Sequence, residues 1–479
     1  MKPKKKNKVT VVTFFYIFNP YYAIIEIVEM INMKYIKLVV IFLVFIIMSF
    51  VWVTIAKDNK ITNYQTIAGF DVKEYKIIDY DSSKGQVNIA IKPSSNAIEC
   101  GMLEKNDNIS FKKIENETCY LQNELAPYKF YFKDGKNNVS SEFTIDNYVA
   151  GINVKKIYYL PLNSSLDLSN SVIKVNNPKI EIKSDNPNLL IKENKIIGNI
   201  EGTFNISIYG NDILIGNTKI VVTSVITERP EMFNLDKPYL SCKEYNGEKA
   251  ELLDEILNYR MNEVEYGTRA SVVEAARFIT MEFPRRIAYY WENGRLYKTG
   301  RHYVDGEGRY YHKGLYLSET KYKDIIATMQ GPQMWGCKMI NWQDDPPDFY
   351  RNLYYPNGLD CSGFVSWVLL NGGFDVGDKG AGPVGGSYDL TDLGDFRYMS
   401  TSLINSGLIK VGDLFSTSGH IAILIGIDDQ HFYVAESLNH YGGVVMRKYS
   451  KTRVINFFQN VVLMDEVYKK DGKLTNLWF

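Results

Sequence analysis

Hydrophobic residues follow three rhythms along the 479-residue chain. The first is unbroken. Leu38 to Ala56 is an uncharged run of 19 residues, and a helix rising about 1.5 Å per residue over that length crosses the hydrocarbon core of a bilayer. Lys34 and Lys37 precede the run, with Lys2, Lys4, Lys5, Lys6 and Lys8 further back. The positive-inside rule then puts the N-terminus in the cytoplasm and everything after Lys57 outside. A single-pass membrane anchor over 35–56 is expected. A cleaved signal peptide fits less well, because the apolar run is long for a signal core and Thr54-Ile55-Ala56 is a weak cleavage site. Val9 to Ile31 is a poor second span, interrupted by Asn19-Pro20, Glu26 and Glu29. Met33-Lys34-Tyr35-Ile36-Lys37 reads like the start of an export signal, so 1–34 is either a basic cytoplasmic segment or an extension ahead of a start at Met33 or Met30.

The second rhythm has period two. Val87, Ile89 and Ile91 alternate with smaller or polar residues, as do Tyr128, Phe130 and Phe132 and, later, Phe204, Ile206 and Ile208. Asp134-Gly135, Gly210-Asn211-Asp212 and Gly216-Asn217 supply turns between such runs. This is the pattern of half-buried antiparallel strands in small sandwiches. Two all-β modules are expected, at 57–147 and 148–226, the second resembling a bacterial Ig-like repeat in its pattern. Neither holds a catalytic constellation, and a spacer or a weak wall- or protein-binding role suits them.

A linker at 227–246, marked by Thr227-Glu228-Arg229-Pro230 and Lys237-Pro238, leads to the third, helical rhythm. Leu252, Leu253, Ile256 and Leu257 form one amphipathic face. Ser271-Val272-Val273-Glu274 reads as a capping box, followed by Val272, Ala275, Ala276 and Ile279 at helical spacing, with the helix running to Phe283-Pro284. A third helix opens at Cys361, with Phe364, Val365, Val368 and Leu369 as its buried stripe and Asn371-Gly372-Gly373 at its end. Between them, 295–357 is rich in Tyr, Gly, Trp and charge and has little periodicity. It reads as an insertion in a domain over 247–470, with 471–479 as a tail.

Composition narrows the functions. The 55 basic and 55 acidic residues cancel, which gives no electrostatic case for nucleic acid, and no motif for it is present. Five cysteines are too few and too scattered for a disulfide scaffold. Cys100 and Cys119 are as readily two free thiols as a pair, and Cys337 reads as a packed loop thiol. His302 and His312 lack a carboxylate or Cys partner at ligand spacing, so neither a metal nor another cofactor is expected.

The chemistry rests on Cys361. A thiol in the first turn of a helix meets unpaired N–H groups and the positive end of the helix dipole, which favour the thiolate. Further on, Gly419-His420-Ile421-Ala422-Ile423-Leu424-Ile425-Gly426 is a buried strand with His420 at its entry, and Phe432-Tyr433-Val434-Ala435-Glu436-Ser437 is the next strand. Cys, then His, then a polar residue on successive elements is the order for a thiol nucleophile, its proton carrier and a group that orients the imidazole. Glu436 is the favoured third member, with Asn439 and His440 as alternatives. The backbone N–H of Cys361 or Ser362 would form part of an oxyanion hole, and Asp360 is expected to cap the helix.

Leu359-Asp360-Cys361-Ser362-Gly363-Phe364-Val365, Gly412-Asp413-Leu414 and Gly419-His420-Ile421-Ala422-Ile423 resemble the signature blocks of the NlpC/P60 family, the papain-like cysteine peptidases of bacterial cell walls. The resemblance covers about 250–470. It implies an α+β domain with the Cys helix packed on an antiparallel sheet that carries the His. It also implies metal-free hydrolysis of peptide bonds in peptidoglycan stems, typically at D-γ-glutamyl–diamino-acid linkages. Family members place a Tyr in a Pro-Tyr-x-Trp-Gly-Gly-like block. Ala288-Tyr289-Tyr290-Trp291 nominates Tyr289, and Pro332-Gln333-Met334-Trp335-Gly336 competes with Gln333. The whole chain therefore reads as a multidomain surface protein: transmembrane helix, two β modules and a C-terminal peptidase domain acting on peptidoglycan outside the membrane. An amidase or acyltransferase on the same Cys and His, and a non-catalytic surface scaffold, are the alternatives.

Overall fold

A computed structural model describes residues 69–93, 96–104, 108–229, 237–289, 296–297, 309–310, 313–315, 317–318, 334–340, 354–377, 379–380 and 389–478. The expected anchor at 35–56, His302, His312 and Gln333 lie outside these residues. Among the described residues, no helix is long and apolar enough to cross a membrane. The architecture is mostly β-sheet with few helices. The chain divides into two compact units after Ala150, with 174–177 belonging to the first.

The first unit holds β1 (Val72–Asp81), β2 (Gln86–Pro93), β3 (Glu99–Leu103), β4 (Ile109–Lys113), β5 (Cys119–Glu124), β6 (Tyr128–Lys133) and β7 (Phe143–Ile145). They form an antiparallel sheet β1-β2-β5 and another, β4-β3-β6-β7. The alternating residues Val87, Ile89, Ile91, Tyr128, Phe130 and Phe132 are all buried, each contributing about 1.5–3 kcal/mol of apolar burial. Cys100 on β3 and Cys119 on β5 are joined by a disulfide, which ties one sheet to the other. Closing a loop of this length restricts the unfolded chain by roughly 3 kcal/mol.

The second unit begins with a four-stranded sheet built from β8 (Ile157–Pro161), β9 (Ile180–Ser184), β10 (Gly202–Gly210) and β11 (Ile213–Thr223), in the order β9-β10-β11-β8. This second module, expected to stand apart behind a linker, shares a core with the helices that follow. Tyr159 donates to Glu255 at 2.6 Å, Tyr259 donates to the Ile157 carbonyl at 2.8 Å, and the two rings meet edge to face.

Helix α1 (Gly247–Glu263) buries Leu253, Ile256 and Leu257. Helix α2 (Arg269–Arg277) continues as a π turn over Phe278–Glu282. It starts earlier than the sequence pattern indicates. The N-cap is Thr268, whose N–H donates to the Ser271 hydroxyl at 3.2 Å. Glu274, expected as the other half of a capping box on Ser271, is instead buried against Arg229. An acidic group three residues after a hydroxyl has the same spacing in both settings, so the spacing alone misplaced the start.

Helix α3 (Cys361–Asn371) packs on one face of a six-stranded antiparallel sheet. Its strands are β12 (Asp395–Tyr398), β13 (Leu414–Thr417), β14 (His420–Ile427), β15 (His431–Leu438), β16 (Gly443–Ser450) and β17 (Asn460–Leu463), ordered β12-β17-β13-β14-β15-β16. Along β14, Ile421, Ile423 and Ile425 face the helices, while Ala422 and Leu424 join a second core with Phe415, Phe432, Tyr449 and Phe458. Apolar residues on both faces make β14 the continuous hydrophobic run seen in the sequence.

Two buried cations fasten helix α2 to the sheet: Arg277, which donates to the Ile425 carbonyl of β14 at 2.7 and 2.9 Å, and Arg269. Arg269 is fully buried; it donates to Asp413 at 2.7 Å, to Asp465 at 2.5 Å and to Asp471 at 2.9 Å, and it lies over the Tyr468 ring. Asp413 also accepts from the backbone N–H groups of Lys410 and Met464. Gly412 stands at φ +97°, and a Cβ there would come 2.8 Å from Arg269 Cγ. The Gly412-Asp413 pair thus belongs to the frame. Asp413→Ala leaves a buried guanidinium without its main partner and is expected to lower stability by about 3–5 kcal/mol. Urea unfolding measures this, and a loss below about 1 kcal/mol contradicts the assignment.

Candidate active site

The approach to Cys361 is set by its backbone. Leu359 donates its N–H to the Ala288 carbonyl at 3.0 Å and accepts at its own carbonyl from the Ser437 hydroxyl at 2.6 Å. Gly358 lies so close to the Ala288 segment that a Cβ would come 1.8 Å from the Ala288 carbonyl oxygen. Tyr289, next along that segment, donates its N–H to Gly442 at 3.0 Å. Three stretches far apart in sequence therefore meet where the helix begins.

Asp360 is the N-cap of α3, accepting from Gly363 N–H at 2.7 Å and from the Ser362 hydroxyl at 3.1 Å. Cys361 follows as the first helical residue and is only 6% exposed. Its thiol donates to the carbonyl of Gly419 at 3.8 Å, the residue before His420, rather than to the imidazole. The backbone N–H groups of Ile421 and Ser362 also point at the sulfur. Burial, aided by the nearby Asp360 carboxylate, outweighs those amides and pushes the thiol up to about 12. The expectation that the helix start favours a thiolate is thus reversed for the resting protein, because desolvation of the charge is the larger effect.

His420 opens β14, and its Nε2 lies 2.7 Å from Glu436 Oε2. Glu436 is 1% exposed. Its other oxygen accepts from the Tyr449 hydroxyl at 2.7 Å and lies 3.5 Å from an Arg447 nitrogen. With the carboxylate accepting from Nε2–H, Nδ1 is left as the basic nitrogen of the neutral ring. The His420 ring stacks on Phe458. Asn439 and His440 lie instead in the turn between β15 and β16, where the Asn439 carbonyl accepts from Gly442. Among the described residues, no His, Cys, Asp and Glu cluster could hold a metal ion.

The structure thus brings together His420 and Glu436 in one hydrogen bond and sets the Cys361 thiol against the backbone flanking His420, while Asp360 and Ser362 bond to each other at the helix start. Tyr289 reaches the site through its main chain. Sequence reasoning passed over Tyr449, Arg447 and Ser437. The register supplies a signal for the first two. Glu436 pairs with Val445, so Arg447 and Tyr449, two and four residues further along the strand, share its face.

The cysteines are also rearranged. Cys337, read as a packed loop thiol, is joined by a disulfide to Cys242, a pairing invisible in spacing because 95 residues separate them. Gly336 and Cys337 hydrogen-bond to Asn357, so this bridge anchors the strand that delivers the chain to Cys361. Cys361 is the free cysteine. A cavity of about 810 Å³ lies elsewhere, lined by groups such as Arg229, Arg260, Glu274, Glu282 and Trp478. Arg229 and Arg260 pair with those glutamates.

No family model matches the sequence. No curated protein matches it either. Solved structures give faint likenesses. One is the N-terminal part of the bacterial S-layer protein SbsC, at 14% identity over 32% of this chain and 44% of that one, with a TM-score of 0.13. Another is a set of fibronectin(III)-like modules of CbhA from Clostridium thermocellum, at 12% identity over 34% of this chain and all of that one, with a TM-score of 0.15. A third is the mixed-linkage glucan utilization protein SGBP-B of Bacteroides ovatus, at 9% identity over 38% of this chain and 66% of that one, with a TM-score of 0.10. The chain spans less than half the length of the SbsC structure. Scores this low carry no argument about the site.

The thiol's position predicts its reactivity. The thiolate is the alkylating form, and the folded chain holds that proton between about 9 and about 12 while the unfolded chain releases it. Cys361 therefore lowers stability as pH rises through that window. With the other four cysteines in disulfides, iodoacetamide labelling reports on Cys361 alone. At pH 8 it is expected to be at least about tenfold slower in the native than in the denatured, unreduced protein. Equal rates contradict the burial argument.

Proposed function

We propose that this chain is a cell-wall hydrolase that cleaves peptide bonds in peptidoglycan stems, of the D-γ-glutamyl–diamino-acid type, with Cys361 as nucleophile. The observation that carries the reading is the buried His420–Glu436 hydrogen bond at 2.7 Å, set beside a cysteine at a helix start. The NlpC/P60-like blocks around these residues support it. The two disulfides suit an oxidising compartment outside the membrane, and the first β module would lie in sequence between an N-terminal anchor and the hydrolase unit.

In the mechanism, Nδ1 of His420 takes the thiol proton as sulfur attacks the scissile carbonyl. The carbonyl oxygen becomes an oxyanion, received by backbone N–H groups at the helix start, those of Cys361 and Ser362. The tetrahedral intermediate collapses with loss of the amine, which takes the proton back from His420, leaving a thioester on Cys361. Water then attacks the thioester, giving its proton to His420 and the acyl carbon its oxygen. The second tetrahedral intermediate expels the sulfur, which recovers the proton. Glu436 stays ionised throughout and keeps the ring oriented. Tyr289 and the Gly442 turn form one wall of the substrate cleft in this reading. No metal enters the scheme.

Purified peptidoglycan incubated with the protein tests the reading by mass spectrometry of the released fragments. Cleaved stem peptides are expected, unchanged by chelators and reduced by a factor of at least about 10³ in Cys361→Ala and His420→Ala. Intact stems freed from glycan indicate an amidase. No release above the Cys361→Ala background indicates a scaffold.

A further inference from the structure

The candidate site contains a second layer that the Cys–His–Glu reading leaves without a task. Glu436 presents one oxygen to His420 and turns the other inward, where it accepts from Tyr449 at 2.7 Å. Burial, together with the Glu436 carboxylate, holds the Tyr449 phenol well above its ordinary value, so the group remains an O–H donor at any working pH. Arg447 lies beside the same oxygen at 3.5 Å. Its guanidinium is clasped by the rings of Tyr441 at 4.6 Å, Tyr449 at 4.7 Å and Phe457 at 5.9 Å. Tyr449 in turn packs edge-on against Phe457 and Phe458, and Phe458 is the ring on which His420 stacks.

These contacts close a circuit. A carboxylate with one oxygen on the imidazole has a second oxygen that needs a donor, and leaving it bare in a buried setting is costly. A carboxylate free to rotate would also swap oxygens and let the ring turn. We propose that Tyr449 and Arg447 are positioning residues for His420: they hold the far oxygen of Glu436, so that its near oxygen fixes the imidazole in one orientation, with the proton on Nε2 and Nδ1 as the basic nitrogen. Tyr449 supplies direction through its hydrogen bond, and Arg447 supplies charge from the rim. The proposal rests on the hydrolase reading for its purpose, but the coupling from Tyr449 to the His420 ring is a property of the fold and is measured separately.

Among the described residues, the charged and titratable groups around the imidazole are few. Glu436 meets it from β15, Tyr449 and Arg447 stand behind Glu436 on β16, Tyr441 covers Arg447, and Cys361 with Asp360 approaches from α3. NMR of ¹⁵N-histidine-labelled full-length protein reads the ring directly, with the His420 signal assigned by its loss in His420→Gln. In the wild type a single tautomer, protonated at Nε2, is expected. Tyr449→Phe keeps the ring packing and removes the hydroxyl, so His420 is expected to show mixed tautomers. Its titration midpoint should rise, because the carboxylate charge then falls on the imidazolium alone. Arg447→Gln is expected to raise the midpoint as well, and Arg447→Lys to restore most of the wild-type value. On peptidoglycan, Tyr449→Phe should lower kcat by about ten- to a hundredfold, the size of one hydrogen bond to a charged group, with KM little changed. An unaltered His420 spectrum and midpoint in Tyr449→Phe overturns the proposal, even if activity falls. An altered spectrum in a protein without hydrolase activity upholds it while removing the functional reading. Should Tyr449→Phe fail to fold, the Arg447→Gln and Arg447→Lys midpoints decide, and identical midpoints in both overturn it.

Discussion

Leu359 is caught on both sides of its backbone, and the geometry of the site depends on that capture. Its N–H is held by Ala288 and its carbonyl by the buried hydroxyl of Ser437. The next residue caps a helix and the one after is Cys361. Ser437 follows Glu436 on the same strand, and neighbouring strand residues point to opposite faces. One strand thus uses Glu436 to hold the histidine and Ser437 to hold the backbone leading to the cysteine. A shift of that strand by one residue would misplace both at once.

The wider frame protects this arrangement. Arg269 joins helix α2 to the start of β13 and to the C-terminal segment through three carboxylates, and the Cys242–Cys337 bridge anchors the strand that leads into Gly358. The thiol itself rests in a dry position, with its proton retained. Catalysis from such a state needs a base within reach, and apo hydrogen bonds at active sites often tighten only when substrate is bound. In the proposed mechanism the His420 imidazole, held by Glu436, would be that base. In that mechanism the helix-start amides would serve the developing oxyanion more than the resting sulfur.

Much of the fold was legible in the alternation of residues. Val87, Ile89 and Ile91, or Phe204, Ile206 and Ile208, fall on buried faces of strands as period two requires. The helix at Cys361 and the strand opening at His420 begin where the cap residue and the apolar run place them. What the sequence hid was long-range. Cys242 and Cys337 are too distant for spacing to pair, and Arg269 finds Asp413 only once a helix has been laid on a sheet. The start of helix α2 was misread because a Ser-x-x-Glu spacing occurs both in a cap and, as here, inside a helix whose glutamate meets a buried arginine. The thiol's state was misread because helix dipole effects are visible in sequence and desolvation is not. Tyr449 and Arg447 escaped notice until register put them on the face of Glu436.

The central claim is that Cys361 forms the covalent intermediate. Acid quenching of the protein during turnover of a purified muropeptide, followed by peptide mapping, tests it most directly. The account predicts a thioester-linked acyl fragment of the stem peptide on the peptide carrying Cys361, lost on hydroxylamine treatment and accumulating when His420→Ala slows its hydrolysis more than its formation. Stem cleavage that persists in Cys361→Ala, or an acyl group found only on another residue, would contradict it.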